Sequence, residues 1–335
     1  MTRPLITFAL LTYNQERYVA QALRSALAQI YQPLEVLIVD DLSSDSTVAI
    51  VEKIIAEYGG PHRVRLHRNT ENLNCTANTV SAIAMAEGDL VVCGAGDDIS
   101  EPERVEMIFQ AQQRAGEGAY SFWSAALLVD ENGDEIGVYS AEDKPPTTAK
   151  AMAELAWTPC GATLACRKAV VEVFGPVDAR AALEDLVLHF RAALLGQVVQ
   201  LSEKLVQWRR HATSMDSAAV MFRSLDSATY AQATRRGVEQ RYFCFQQRGR
   251  DLDTARRLWP QRSAELAGLV DANNRHILDY ESLRLMGEQG WAKPFRGIVM
   301  AWHARHSIKE ITKRFLMLHT PRLWLSLMRL RADRS

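Results

Sequence analysis

The first 115 residues switch repeatedly between two hydrophobic periods, and few folds accommodate that switching. Residues 6–11 are an unbroken apolar run, after which residues 15–29 place Tyr18, Val19, Ala22, Leu23, Ala26 and Leu27 on one helical face, with Asn14 positioned as N-cap. A second apolar run covers 34–39. A helical stretch over 46–58 follows, with Val48, Val51, Ile54 and Ile55 inward and Gly59-Gly60 as its stop. A strand over 64–67, a helix over 76–86 ended by Gly88 and a strand over 90–93 extend the series. Strands apolar on both faces cannot border water, so the pattern predicts an α/β domain with a mostly parallel sheet covered by helices on both sides. Ligands of such sheets bind beyond the carboxyl ends of the strands. That rule selects Thr12-Tyr13-Asn14, Asp40-Asp41 and Asp97-Asp98 as rim residues.

From Tyr120 the pattern changes. Two strand-like runs, 120–129 and 135–139, flank Asp130-Glu131-Asn132-Gly133-Asp134, a hairpin signal through Asn-Gly. A loop with Pro145-Pro146, a helix over 149–157 and a strand over 163–166 come next. A helix over 184–195 closed by Gly196 and two short strands over 198–201 and 205–208 follow. These segments divide the chain into a first domain over 1–217, a helical extension over 218–289 and a basic amphipathic tail over 290–335. The tail carries a net charge of +8 within a chain of net −1, so the remainder carries −9. Such a tail suits an anionic membrane surface, while its apolar residues would equally suit packing on protein, including a second copy of the chain.

Several function classes lose support. The turn after the first strand reads Thr12-Tyr13-Asn14-Gln15-Glu16, without the Gly-rich loop of dinucleotide binding or the lysine of a P-loop. Five cysteines without a C-x-x-C pair argue against a zinc site or disulfide framework and for a reducing cytoplasm. The early apolar run is shorter than a signal peptide needs, and no stretch reaches the length of a membrane span. An acidic body with a basic end is not the footprint of a nucleic-acid-binding domain.

The acidic motifs each admit two readings. Asp40-Asp41-Leu42-Ser43-Ser44-Asp45 can be a capped turn, or can offer a carboxylate to a nucleobase or ribose. Gly94-Ala95-Gly96-Asp97-Asp98 can be a helix start, or a pair of acids that repel until a divalent cation compensates them; hard oxygen ligands favour Mg²⁺ or Mn²⁺. Glu184-Asp185 can serve the dipole of the following helix, or supply a general base. Arg209-Arg210-His211 can be a solvated basic turn, or a clamp on diphosphate and metal.

In this order and spacing the motifs, with Asn72 to Asn78 and Ala86-Glu87-Gly88-Asp89, resemble family 2 of the nucleotide-sugar glycosyltransferases, over roughly residues 4 to 217. The resemblance implies the GT-A fold and inverting, metal-dependent transfer from a UDP-, GDP- or dTDP-sugar to a glycan acceptor. A cell-surface polysaccharide or O-antigen, or a lipid-linked glycan, would be such an acceptor, with the enzyme peripheral at the inner face of the membrane. It assigns Thr12, Tyr13, Asn14, Asp41, Asn78, Asp97, Arg209 and Arg210 to the nucleotide-sugar. Asp98 and His211 go to the metal, and Asp185 with Glu184 to catalysis. A non-catalytic sugar-nucleotide-binding subunit is the alternative with the same fold. The sequence departs from the commoner family pattern at Gly94, where an aspartate is usual, and at Asn74, where a glycine is usual.

Overall fold

The computed structural model describes residues 3–139, 147–155, 159–211, 227–287, 292–303 and 306–319, which divide into two compact units, Met1–Arg210 and His211–Ser335. The expected domain boundary near Ser217, the Pro145-Pro146 loop and Trp157 lie outside the described residues.

The first unit opens with β1 (Ile6–Thr12), α1 (Val19–Leu27), β2 (Leu34–Asp40), α2 (Thr47–Glu57), β3 (Arg63–Arg68), α3 (Asn74–Met85) and β4 (Leu90–Ala95). β5 (Ile99–Ser100), α4 (Arg104–Ala115), β6 (Ala119–Val129), β7 (Glu135–Tyr139), α5 (Ala149–Leu155) and β8 (Ala165–Arg167) follow. The unit ends with α6 (Ala169–Glu172), α7 (Glu184–Leu195) and β9 (Gln197–Arg209). Among the described residues nine strands form one sheet, ordered β3-β2-β1-β4-β8-β6-β9-β5, with β7 beside β6. β3, β2, β1 and β4 run parallel, as the apolar runs require, and β8 turns the sheet antiparallel against both β4 and β6. Ile6, Phe8 and Leu10 of β1 pack with Val19 and Leu23 of α1 and Val105 and Ile108 of α4. Thr7 and Ala9, which point the other way, are equally buried, so both faces of β1 are covered. Each such aliphatic side chain removed from water contributes about 1.5–3 kcal/mol.

A buried polar cluster pins the amino ends of these strands. Glu35 is fully buried on β2; its Oε2 accepts from Thr7 Oγ1 at 2.6 Å and from the Glu87 N–H at 2.9 Å, and Arg65 of β3 reaches Oε1 at 2.5 Å. Burial pushes the Glu35 carboxyl upward, but those hydrogen bonds and the Arg65 charge win and hold it below the usual carboxylate range. Gly88 donates its N–H to Thr7 Oγ1, and a Cβ there would lie 2.7 Å from the Leu5 carbonyl, so only glycine passes this close. The Ala86-Glu87-Gly88-Asp89 motif therefore serves the amino ends of β1 and β2, opposite the rim formed by the strands' carboxyl ends.

Two expectations need correction. The two short strands over 198–201 and 205–208 are one strand, β9, whose pairing with β6 shifts register around Ser124 and Ala125. The exposed Ser202, Glu203 and Lys204 fall at those irregularities, and their polarity imitates a turn. Asn14 does not cap α1, which starts at Val19; it turns the chain with φ +50° and accepts the Ser44 N–H at 2.8 Å.

The second unit comprises α8 (Ser227–Leu258), α9 (Ser263–Met286), α10 (Ala292–His303) and α11 (Ile308–His319). Val238, Leu283, Met286, Ala301 and Leu318 form its apolar cluster. Asp279 of α9 holds Arg314 of α11 through two hydrogen bonds of 2.8 and 3.1 Å and also receives His306. No described helix is long and apolar enough to cross a membrane.

Candidate functional site

The carboxyl ends of β1, β2 and β4 are level: Thr12 pairs with Asp40, and Leu11 with Ala95. From β1 the chain winds outward through β2 and β3, then returns to β4 on the opposite side of β1. The crevice at that switch is where an open α/β sheet binds ligands. Its walls begin with two interlocked loops. Asn14 N–H donates to Ser43 Oγ at 2.9 Å, Gln15 N–H to Thr47 Oγ1 at 2.8 Å and Glu16 N–H to Asp45 Oδ2 at 3.1 Å. The Ser46 N–H answers to Glu16 Oε2 at 2.9 Å. The Asp45 carboxyl, opposed by burial but gathered by Thr47 and Glu16, sits below the usual range.

The acid pair ending β2 divides its labour. Asp40 takes the Thr12 hydroxyl at 3.0 Å, the Ser43 hydroxyl at 2.5 Å and the Ser43 N–H at 2.8 Å, which makes it the turn-forming acid. Asp41, 3% exposed, uses only Oδ1, which accepts from Asn69 Nδ2 and from the Leu73 N–H, both at 2.8 Å. Asp41 Oδ2 accepts no hydrogen bond among the described residues, which suits a ligand donor. Asn69 Nδ2 also donates to Asn78 Oδ1 at 2.9 Å, so one amide fixes both Asp41 and Asn78. Sequence reasoning missed Asn69, although it directly follows β3 and the strand-end rule would have selected it. Thr12 is buried with its hydroxyl committed to Asp40, whereas the Tyr13 ring is 49% exposed at the rim.

Beyond β4, the Asp98 carboxyl is buried, and its Oδ1 accepts the Arg209 N–H at 2.8 Å. Burial first and the Asp97 charge second raise it well above the usual carboxylate range, against the opposing pull of Arg209 and Arg104. The Arg209 guanidinium does not face a crevice as a clamp would. Its Nε bonds the Asp97 carbonyl at 2.9 Å, Nη2 bonds Gln21 at 2.9 Å, and Nη1 reaches the Asp130 and Glu131 carbonyls at 3.3 Å. Arg209 thus builds the turn that presents Asp97 and Asp98. Arg104, also missed from sequence, is fully buried beneath them; it bonds Ser100 Oγ at 2.9 Å and the Cys93 carbonyl at 2.8 Å, and burial pulls its pKa down to about 10.

Among the described residues no three His, Cys, Asp or Glu side chains converge into a finished metal cage. What exists fits a hard divalent cation that completes its sphere from a phosphate ligand: two adjacent carboxylates, one of them desolvated with Oδ2 accepting no described hydrogen bond. His211 follows two residues after Arg209 and begins the second unit. Arg210 lies over the Trp208 ring at 4.5 Å.

Glu184 and Asp185 open α7, half-buried. Glu184 Oε2 accepts the Cys75 thiol at 3.3 Å, and its Oε1 fills the space a side chain would need at Gly161, 1.9 Å from an added Cβ. Burial and the two acids push the Cys75 thiol far up, so it remains a neutral donor. Because Leu73 binds Asp41 and Cys75 binds Glu184, the first turn of α3 connects the β2 acid to the α7 acids.

The two sequence departures acquire physical reasons. A Cβ at Gly94 would lie 2.8 Å from the Phe8 ring, which occupies the room an aspartate would need. Asn74 has φ +65°, the left-handed conformation that glycine adopts freely and asparagine tolerates.

Residues 7–170 match the family model described as Glycosyl transferase family 2. EpsE of Bacillus subtilis, named as a glycosyltransferase, is 31% identical over 144 residues, or 42% of this chain and 49% of its own, so the chain spans about half that relative. TarS of S. aureus, residues 1–349 solved with UDP, superposes with a TM-score of 0.53 at 14% identity, over 92% of this chain and 90% of its own. The mannosyltransferase PcManGT of Pyrobaculum calidifontis, solved with GDP-Man and Mn²⁺, gives 0.53 at 15% identity, over 97% and 84%. These structures share the fold, a mostly parallel sheet of GT-A type, with a helical region added after it here. Sequence match, sheet order and the motifs gathered at one rim agree, and residues 7–170 form a glycosyltransferase family 2 domain.

Proposed function

We propose that this chain transfers a sugar, with inversion, from a nucleoside-diphosphate sugar to a glycan hydroxyl. One observation carries the reading. At the switch point, Asp41 and Asp98 are both buried, and each has one oxygen held by the protein and the other unclaimed by any described residue. Two such carboxylates suit the two ends of a nucleotide-sugar, a base or ribose donor and a cation-bound diphosphate.

In this reading Asp41 accepts a hydrogen bond from the nucleoside, Asn78 borders it, and Tyr13 offers its exposed ring. Asp97 and Asp98 would hold Mg²⁺ or Mn²⁺, which neutralises charge on the departing diphosphate when bound. Arg210 adds positive charge, and Arg209 acts by holding the acidic turn in place. Asp185 removes the acceptor hydroxyl proton as that oxygen attacks the anomeric carbon. The new C–O bond forms on the face opposite the bond that breaks, the nucleoside diphosphate leaves with the electron pair, and the carbon inverts. A cell-surface or lipid-linked glycan, met at the inner membrane face, is the acceptor this reading favours.

Asp185→Asn should abolish transfer, by at least about 100-fold as expected for a lost general base, while nucleotide binding measured calorimetrically with Mn²⁺ stays near wild type. Near-normal turnover by that variant would refute the base assignment. Wild-type protein that binds nucleotide-sugar yet never hydrolyses or transfers it would instead be a binding subunit.

A further inference from the structure

We propose that α10 is a docking face for an anionic lipid surface, with Phe295, Arg296 and Lys293 as its contact residues. This deepens the peripheral-membrane part of the reading above and is independent of the donor site.

A helix at a protein surface ordinarily buries its large apolar residues and shows water its small and polar ones. α10 does so only in part: Ile298 packs against the apolar cluster of the second unit, while Phe295 stays outside it. Among the described side chains its fully buried positions are Pro294, Gly297 and Ala301. Gly297 sits so close to α9 that a Cβ would lie 2.6 Å from the Ser282 carbonyl and 2.8 Å from the Met286 N–H. The outward side carries Phe295, 62% exposed, and Arg296, also exposed, with Val299 half-buried one turn later; Lys293 is exposed in the first turn. Folding therefore leaves the Phe295 ring in water, with the exposed Lys293 and Arg296 on the same helix.

Charge identifies the receiver. Residues 290–335 carry +8 and the rest of the chain −9, so an anionic surface attracts this segment and repels the remainder. A polyanion without an apolar boundary would satisfy the cations and leave Phe295 in water; an acidic bilayer satisfies both, the ring at the acyl boundary and the cations among headgroups. Twelve residues are too few to span, so the helix would lie in the interface.

The test uses the full chain, sedimented with vesicles of phosphatidylcholine alone and of phosphatidylcholine with phosphatidylglycerol at about seven to three. The chain should partition onto the anionic vesicles only, and added salt should weaken it. Phe295→Ser, and separately Lys293→Glu with Arg296→Glu, should each lower partitioning about tenfold. Equal partition onto both vesicles, none onto either, or no change in the variants overturns the proposal. A chain that instead goes from dimer to monomer on Phe295→Ser assigns the face to a second copy and overturns it too. UDP and GDP binding with Mn²⁺, measured on the same samples, reports folding and keeps the outcomes separate. Nucleotide binding without vesicle binding defeats the docking face alone, and the converse defeats the donor site alone.

Discussion

At the scale of single residues, packing and charge decide more than residue type does. Gly94 is the clearest case: the Phe8 ring stands 2.8 Å from where its Cβ would be, so this chain has given that volume to the core. Gly94→Asp should therefore not recover the commoner acidic pattern. It should cost about 1–3 kcal/mol from overpacking, more if the new carboxylate ionises, and lower the midpoint of thermal unfolding accordingly. An unchanged midpoint would mean that Phe8 moves aside. Asn69 and Arg104 make the complementary point. As letters they are an ordinary polar residue and an ordinary cation; the place of Asn69 just after β3 is its one sequence signal, and nothing along the chain marks Arg104. Their roles come from what folding brings to them: Asp41 and Asn78 to one amide, Ser100 and the Cys93 carbonyl to one guanidinium. That information is tertiary, which is why Asp41 and Asp98 were legible as strand-end acids while their supports were not.

At the scale of elements, the three described non-glycine residues with positive φ, Asn14, Leu42 and Asn74, all lie in strand-to-helix connections at the crevice rim or at the helix start that borders it. Concentrated local strain of this kind belongs where backbone must be aimed. Asn74→Gly should leave stability within about half a kcal/mol, whereas Asn74→Val should cost about 1–2 kcal/mol, the penalty of the left-handed region for a branched side chain. Urea unfolding would measure both, and weaker nucleotide binding by the valine variant should accompany the loss, since Leu73 next door holds Asp41. Equal midpoints for the two variants would contradict the φ argument. The parallel elements were readable because burial on both faces leaves unbroken apolar runs. β9 was not, since its exposed Ser202-Glu203-Lys204 stretch interrupts the run without interrupting the strand. α7 was readable as a helix, yet it hides His189 and Arg191 completely; His189 shares a 2.8 Å hydrogen bond with Ser121, and burial takes its pKa down to about 3, so it packs as a neutral ring.

At the scale of the whole molecule, acid should act through the amino ends of the strands. Glu35 has its pKa lowered by folding, so its contribution to stability is complete above its unfolded value, about 4.3, and is lost as pH falls through the lower folded value. Glu35→Gln should then unfold at clearly lower temperature than wild type at neutral pH, with the gap closing below about pH 4. A gap that persists undiminished in acid would assign the effect to shape rather than charge. The opposite end of the sheet is fastened differently. There the loop after β1 and the loop after β2 supply each other's hydrogen bonds, Gln15 with Thr47, Glu16 with Asp45 and Ser46. Neither loop owns its conformation, so neither can be exchanged for another sequence by itself: the two segments, some thirty residues apart along the chain, must drift through evolution as one heritable unit or lose the crevice between them.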